Sequence, residues 1–484
     1  MKSRLSLVVG ALYIGLMGVG LSACDVGTNG GNGNGDGGDG GNGNGNDLSG
    51  SGGCEGLECQ INHQCPGGAK TTITGTVFAP NGTLPLYNAV VFIPNAPVDP
   101  FTSGVTCDRC DGAVSGKPVG GAVLTGPDGK FTITDVPTGA AIPLVVQVGR
   151  WRRQVTINVP DCATTPLDSG ATRLPKNRSE GDMPQMAIAT GSSDHFECLL
   201  LKIGLDTAEI TAPNAATPGK VHFYTATDSA GLDLATPAPK ATQLYASLAN
   251  MLKYDVILLP CEGAGYDKSR VGGNALNPNP RDLVTQYLDA GGRIFSTHFS
   301  YDWFTYDQSP FNKLAKPAAG NGQWPVKQGD DYNNTIHATL DTSFPKGSDF
   351  AKWLKFAGAT SAVNQLDIAE GRHDITGVDA TYAQPWATYD FTPVGSGPGV
   401  MHFTFNTPLQ PPKDDMGAPL YCGRAVYSDF HVTAGAVTAG PGTFPGRCKV
   451  DPVANPMSDQ EKALAFMLFD LSSCIQQDSQ QPIP

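Results

Sequence analysis

The feature that most constrains this chain is the alternation of short apolar runs with helix-spaced segments between residues 185 and 300. "QMAIATG" is strand-like and ends in Gly191, "DHFECLLLKIG" has helical spacing, and "KVHFYTA" is again strand-like. "ATQLYASLANML" is helical, and "YDVILLPCEG" is a buried strand with a polar end. "PRDLVTQYLDAGG" is a helix closed by glycines, and "RIFSTH" is the next strand. This repetition predicts a parallel sheet with helices on both faces, an α/β doubly wound arrangement. "GVMHFTFN" and "RAVYSDFH" add two later strands. "SDQEKALAFMLFDLSSCI" closes the unit as a helix, with Ser458 and Glu461 spaced as a capping box. In such sheets ligands bind at the carboxyl ends of the strands. Three strands here end in reactive side chains: Cys261 with Glu262, then His298, then His431. Where the sheet is parallel, those ends converge on one edge.

Residues 70–160 follow a different rule. "TTITGTVFA" alternates and is β-branched, "PNGTLPL" is a turn, and "NAVVFIPN" is a second strand. "GPDGKFTITDVPTG" gives turn, strand and turn, and "IPLVVQVGRWRRQVTINV" supplies two more strands. Short strands punctuated by Gly and Pro predict a small antiparallel all-β sandwich. The polar, proline-broken stretch 172–184 reads as a linker. A chain of 484 residues is expected to hold more than one domain. The expected organisation is therefore a Cys-containing β-sandwich over 54–171, the linker, an α/β domain over 185–476 with an insertion at about 301–398, and a tail at 477–484.

The N-terminus speaks to location. Lys2 and Arg4 precede an apolar stretch from Leu5 to about Leu21, the pattern of a secretory signal. The "LSAC" that follows resembles a lipobox. That resemblance implies cleavage after residue 23, lipid on Cys24, and a bacterial cell-envelope lipoprotein anchored to a membrane and facing periplasm or cell surface. Residues 24–53 are almost only Gly, Asn, Asp and Ser after Cys24. They cannot bury a core, and read as a flexible tether with a reach of roughly 30 Å. The net charge of −13 and the lack of a basic stripe argue against a nucleic-acid partner. The densest basic cluster, Arg150, Arg152 and Arg153, falls in a strand-like run and reads as a solvated strand face.

Twelve cysteines remain to be placed. With Cys24 lipidated the rest are odd in number, so at least one thiol is left over, and outside the cytoplasm the others are expected in disulfides. "CDRC" at Cys107 and Cys110 lacks the second half of a zinc site, so pairing within the Cys54–Cys162 set is expected. Cys422 is expected to pair with Cys448, pinning the "DFH" loop, and Cys198 with Cys474, tying the ends of the domain.

Two family resemblances attach to these residues. "ITGTV", Asn81-Gly82, "PLYNAVVFI", Asp128-Gly129-Lys130-Phe131 and "VPTGAAIPLVV" resemble the carboxypeptidase regulatory-like domain, a transthyretin-like β-sandwich that is usually non-catalytic. The insertion carrying Cys107 and Cys110 departs from that pattern. "AGGRIFSTHFS", together with Gly423-Arg424 and the "AVYSDFH" after them, resembles the class I glutamine amidotransferase-like fold, and within it the ThuA-like group. The resemblance puts His298 where amidotransferases carry their nucleophilic Cys, with Ser296 and Ser300 at the flanking glycine positions, and puts His431 at the second histidine. It implies the fold without glutaminase chemistry, because the nucleophile is missing. Residues 301–398 match neither pattern.

The candidate catalytic residues are His298, His431, Glu262 and Cys261. Asp429 lies two residues before His431, on the same face of an extended strand. A His–carboxylate pair serves as base and orienter, or as metal ligands; no metal set is assigned, and the cofactor is left open. Cys261 reads either as a cleft thiol or as half of a disulfide, and Glu262 either as an acid/base or as a helix-start charge. Tyr301, Asp302 and Trp303 read either as a sugar-binding platform or as core. His402 reads as structural, and "GRHD" around His373 is a weaker signal in the insertion. The function these features favour is binding of a small polar, carbohydrate-class ligand without turnover. The alternatives are a hydrolase-type or metal-dependent enzyme using His298 and His431, and an adhesion or scaffold protein with a vestigial cleft.

Overall fold

The computed structural model describes residues 54–484, except 111–113, 192, 227–235, 264, 266, 272, 306–310, 318–334, 370, 393–396 and 433–442. The expected signal (1–23), the tether (24–53) and the lipid-bearing Cys24 lie outside the described residues. Among those described, no helix is long and apolar enough to cross a membrane.

The first half is built from β1 (Thr72–Thr76), β2 (Val90–Phe92), β3 (Val123–Leu124), β4 (Lys130–Thr134), β5 (Gly139–Val148), β6 (Trp151–Val159) and β7 (Thr164–Pro166). They form a three-stranded sheet, β4-β1-β7, and a four-stranded sheet, β3-β2-β5-β6. β5 and β6 are a hairpin in which Val148 pairs with Trp151, so Gly149-Arg150 is a two-residue turn with Gly149 at φ 53°. A Cβ at Gly149 would lie 1.6 Å from the Ser472 carbonyl oxygen, so only glycine lets this turn rest on the last helix. Arg152 is not on a solvated face. It is buried, donates from Nε to Asp182 Oδ2 at 2.9 Å and stacks over Phe101 at 4.2 Å, because the neighbouring loop folds across that part of the strand.

The second half supplies β8 (Met186–Thr190), β9 (Ile210–Thr211), β10 (Val221–Thr225), β11 (Val256–Leu259), β12 (Arg270–Val271), β13 (Asn274–Ala275), β14 (Arg293–Thr297), β15 (Ala315–Pro317), β16 (Thr335–Leu340), β17 (Gln365–Ala369), β18 (Ile375–Val378), β19 (Ala383–Asp390), β20 (Pro398–Thr407) and β21 (Gly423–Ser428). The helices are α1 (Ser169–Thr172), α2 (Phe196–Lys202), α3 (Ala241–Leu244), α4 (Leu248–Met251), α5 (Pro280–Asp289), α6 (Asp302–Thr305), α7 (Pro345–Phe356) and α8 (Asp459–Ser472). Ser458 and Glu461 close the expected capping box on α8.

A ten-stranded mixed sheet runs β17-β16-β19-β20-β21-β14-β11-β8-β10-β9. From β21 to β9 every pairing is parallel. There helices α2, α3, α4 and α5 lie between successive strands in sequence, and β8, β11, β14 and β21 are buried along their length. From β20 outward every pairing is antiparallel, which corrects the expectation of a wholly parallel sheet. Among the described residues the connections from β19 to β20 and from β20 to β21 carry no α-helix, and a strand without a crossover returns antiparallel. The stretch 301–398 is the source of β16, β17 and β19, so much of it extends the sheet.

One continuous apolar core joins the two halves. Tyr87 stacks on Phe466 of α8 at 5.7 Å between ring centroids, Trp151 meets Phe469 at 5.9 Å, and Trp353 Nε1 donates to the Pro85 carbonyl at 2.8 Å. The stretch read as a linker puts Leu174 and Met183 into that core. In the expected tail, Asp478 is buried and accepts from Arg424 Nη2 at 2.7 Å.

Among the described residues five disulfides are present: Cys54–Cys59, Cys65–Cys162, Cys107–Cys422, Cys110–Cys474 and Cys198–Cys448. The expected pairs Cys422–Cys448 and Cys198–Cys474 are both wrong, and only two bonds stay within the Cys54–Cys162 set. The physical reason is the shared core. The "CDRC" loop packs against the second half, with the Ile475 amide donating to the Asp108 carbonyl at 2.8 Å, so its cysteines meet Cys422 and Cys474. Cys261 is the free thiol among the described cysteines. Alkylation of the denatured, unreduced protein is expected to label Cys261 and no other cysteine from Cys54 to Cys474. Peptide mapping that finds Cys422 bonded to Cys448 would contradict this pairing.

Candidate functional site

The strands β11, β14 and β21 deliver Cys261, His298 and His431 to one point. His298 follows β14 directly and opens a short 3-10 turn, His298–Tyr301. Its backbone sits at φ 41°, a left-handed conformation that costs a non-glycine residue on the order of 1 kcal/mol or more. The ring is aimed off the strand end by that kink. Tyr427 of β21 donates its hydroxyl to the His298 carbonyl at 2.9 Å and so fixes the turn to the neighbouring strand.

His298 Nδ1 lies 2.9 Å from His431 Nε2 and 3.2 Å from Cys261 Sγ. The two ring centroids are 4.7 Å apart. His298 Nε2, on the far side, lies 3.2 Å from Asp374 Oδ2. Asp429 accepts from the backbone amide of Asp374 at 2.8 Å, and the backbone amide of Arg372 donates to the Asp429 carbonyl at 3.0 Å. The His431 carbonyl accepts from Gln460 Nε2 of α8 at 2.6 Å. Gly191 makes room at the back of the cluster: a Cβ there would lie 1.9 Å from the Cys261 carbonyl oxygen. His298 and His431 are only 5% and 4% exposed.

Burial sets the protonation states. It lowers the pKa of His298 well below the usual range, with the neighbouring His431 and Arg372 charges adding to the effect. It lowers His431 to about 3, helped by Arg372 and His195. It pushes the Cys261 thiol up to about 12. Asp374 is raised well above the carboxylate range by burial and then by the Asp429 charge beside it. At neutral pH the rings are neutral and Cys261 is a thiol, while the Asp374 carboxyl is shifted towards its protonated form. Asp194 lies behind the cluster, accepting from the Thr297 hydroxyl and the Val432 amide, and burial raises it to about 7.

The other sequence candidates fall elsewhere. Glu262 is ion-paired with Lys268 Nζ at 2.6 Å. Asp302 accepts from Arg281 Nη2 at 2.8 Å. Trp303 is packed on Tyr245 at 5.0 Å, and both Trp303 and Tyr301 are buried in the core. His373 bonds the Pro398 carbonyl and stacks on Phe391, away from the cluster. Asp374 and Arg372 were missed by sequence reasoning. The signal was "GRHD", in which the histidine drew attention while its two neighbours turn inward.

Cys261 Sγ, His298 Nδ1 and His431 Nε2 all lie within 4.8 Å of one another, close enough for these residues to hold one metal ion. A second candidate group includes Cys65 and Cys162, which are spent on a disulfide. A neutral ring keeps a lone pair available at neutral pH, as a metal ligand or a base requires, while its lowered pKa makes it a weaker base than an ordinary histidine.

No family model matches the chain, and no curated protein matches it. Among solved structures it is similar to a cytoplasmic protein, STM3548, from Salmonella typhimurium, at 10% identity and TM-score 0.29, over 52% of this chain and 89% of that one. It is also similar to Agd3, described as a novel carbohydrate deacetylase, at 13% identity and TM-score 0.26, over 50% and 28%. A third is a type II cohesin–X–dockerin complex from Acetivibrio cellulolyticus, at 14% identity and TM-score 0.15, over 28% and 84%. Likenesses this slight establish neither family nor function.

His402 of β20 is the structural counterexample to the cluster. Its Nδ1 bonds Ser428 Oγ at 2.7 Å, and burial together with the Arg424 charge holds its pKa at about 3. Unfolded, a histidine titrates near 6.5. Between those values the unfolded chain binds the extra proton, so this residue's share of stability is lost as pH falls from about 6.5 towards 3. Relative to His402→Gln, the native protein is expected to lose about 1.4 kcal/mol of unfolding free energy per pH unit over that window. Urea unfolding with the disulfides intact measures this, and a difference that does not change with pH would refute the assignment.

Proposed function

We propose that this chain is an envelope-anchored, hydrolase-type enzyme acting on a small polar, carbohydrate-class substrate at the strand carboxyl ends, with His298 and His431 as the working pair. The observation that carries the reading is the 2.9 Å approach of the two neutral rings, each delivered by a different parallel strand. His298, His431, Asp374 and Asp429 are polar side chains gathered in the interior, where they are costly to bury, and such clusters concentrate at functional sites. His298 is the general base, and Asp374 behind Nε2 orients its ring. Cys261 is a poor candidate for nucleophile, since burial raises its pKa where a catalytic thiol needs it lowered. In this reading lipid on Cys24 provides the anchor. The first half is a carboxypeptidase regulatory-like β-sandwich accessory module, and the second is an amidotransferase-like, ThuA-like unit without glutaminase chemistry.

A second reading, capture of the same class of ligand without turnover, is favoured by the burial of both rings. The two are separated with 4-nitrophenyl acetate and a 4-nitrophenyl glycoside as probes. The enzyme reading expects turnover of at least one probe, reduced about 100-fold or more in both His298→Ala and His431→Ala, with thermal unfolding unchanged. Turnover equal in the native protein and both variants, or absent from all three, ends it.

A further inference from the structure

We propose that Cys261 Sγ, His298 Nδ1 and His431 Nε2 are the protein ligands of one divalent transition-metal ion of the zinc or cobalt class, with a further position open to water or substrate. The inference deepens the enzyme reading, since it rests on taking the strand ends as the working site and names the cofactor held there; with the ion bound, His298 and His431 serve as its ligands and His298 is no longer a free base.

The first support is a counting argument. His298 Nδ1 is a single ring nitrogen that holds either one proton or one lone pair. Yet His431 Nε2 approaches it at 2.9 Å and Cys261 Sγ at 3.2 Å. One hydrogen on that atom cannot serve both contacts well. A cation between the three atoms takes a lone pair from each, and the conflict disappears.

The second support is spacing. Two nitrogens bound at about 2.05 Å to a tetrahedral zinc are roughly 3.3 Å apart, and a nitrogen and a sulfur roughly 3.5 Å. The observed separations are shorter by only about 0.3–0.4 Å in each case. A small outward rotation of the two rings and the thiol makes room for the ion. Three protein ligands with an open fourth position is the pattern of catalytic rather than structural zinc, and a mixed nitrogen and sulfur set suits a borderline-soft ion.

The third support lies outside the ligands. A metal-bound imidazole turns its other nitrogen to a carboxylate, carbonyl or water. His298 Nε2 faces Asp374 Oδ2 at 3.2 Å, as such a ligand requires. Asp374 is completely enclosed, so its orientation towards His298 is not an accident of solvent. The ten other described cysteines are spent on disulfides, while Cys261 stays free beside two imidazoles. On binding, the metal takes the place of the Cys261 proton, which passes to solvent; nothing is oxidised or reduced.

The test uses the purified full chain, stripped with a chelator, dialysed, and titrated with Co2+ alone. The expected result is uptake of one equivalent, with a thiolate-to-cobalt charge-transfer band in the near ultraviolet and strong visible bands of a four-coordinate ion. Cys261→Ser should lose the charge-transfer band, and His298→Ala and His431→Ala should lose tight uptake. Asp374→Asn should weaken uptake about 10–100-fold while keeping the band. Thermal unfolding without metal checks that each variant is folded, and added Zn2+ should raise the midpoint of the native protein, raise that of Asp374→Asn less, and leave those of His298→Ala and His431→Ala unchanged. No uptake by the native chain overturns the proposal, as does a cobalt spectrum unchanged in Cys261→Ser. The enzyme reading fails separately. Probe hydrolysis by the stripped protein with no cobalt uptake removes the metal and keeps the enzyme, whereas cobalt uptake with no hydrolysis keeps the metal site and removes the enzyme.

Discussion

The candidate site depends on the register between three parallel strands. Val256 of β11 pairs with Arg293 of β14, which pairs with Arg424 of β21, and at the other end Leu259, Ser296 and Tyr427 stand level. Because the strands run the same way and in step, their chains leave the sheet at one height. Cys261, His298 and His431 are the residues found at or just past that edge. A shift of one residue in any of these pairings would turn that strand's alternate side chains to the opposite face. The polar cluster is thus a product of backbone hydrogen bonding, and no side-chain attraction needs to assemble it.

Much of this was legible in the sequence. The alternation of strands and helices foretold the parallel half of the sheet, and the polar ends of "VILLPCE", "RIFSTH" and "RAVYSDFH" foretold what it would present. The helix cap at Ser458 was readable because its cause is local. The antiparallel half was not foretold, since β16, β17 and β19 come from a stretch with no familiar pattern and their direction depends on what they dock against. Asp374 was hidden for the same reason. It reaches His298 through a long-range packing event, beside a histidine that looked more eligible and faces the other way.

The disulfides failed for a related cause. Pairs chosen within each expected unit assumed that the two units were independent. In the structure the hairpin of β5 and β6 leans on α8, and a buried network of Lys346, Arg424, Asp470 and Asp478 fastens α7 and β21 to α8 and the last residues of the chain. The cost of desolvating such buried charges offsets much of their mutual attraction, so their net contribution to stability is small. They place the chain's end against the first half, and the cysteines follow.

The bonds Cys107–Cys422 and Cys110–Cys474 span 315 and 364 residues. Any cell that makes this chain from its N-terminus therefore faces an ordering problem. Cys107 and Cys110 emerge long before their partners exist, and they sit three residues apart, each the other's nearest thiol. The first half has to wait with both in reduced form, or pass through a wrong bond that is later exchanged. Production of the native molecule becomes a matter of timing as much as of sequence, and it favours a host that can reshuffle disulfides over one that only forms them.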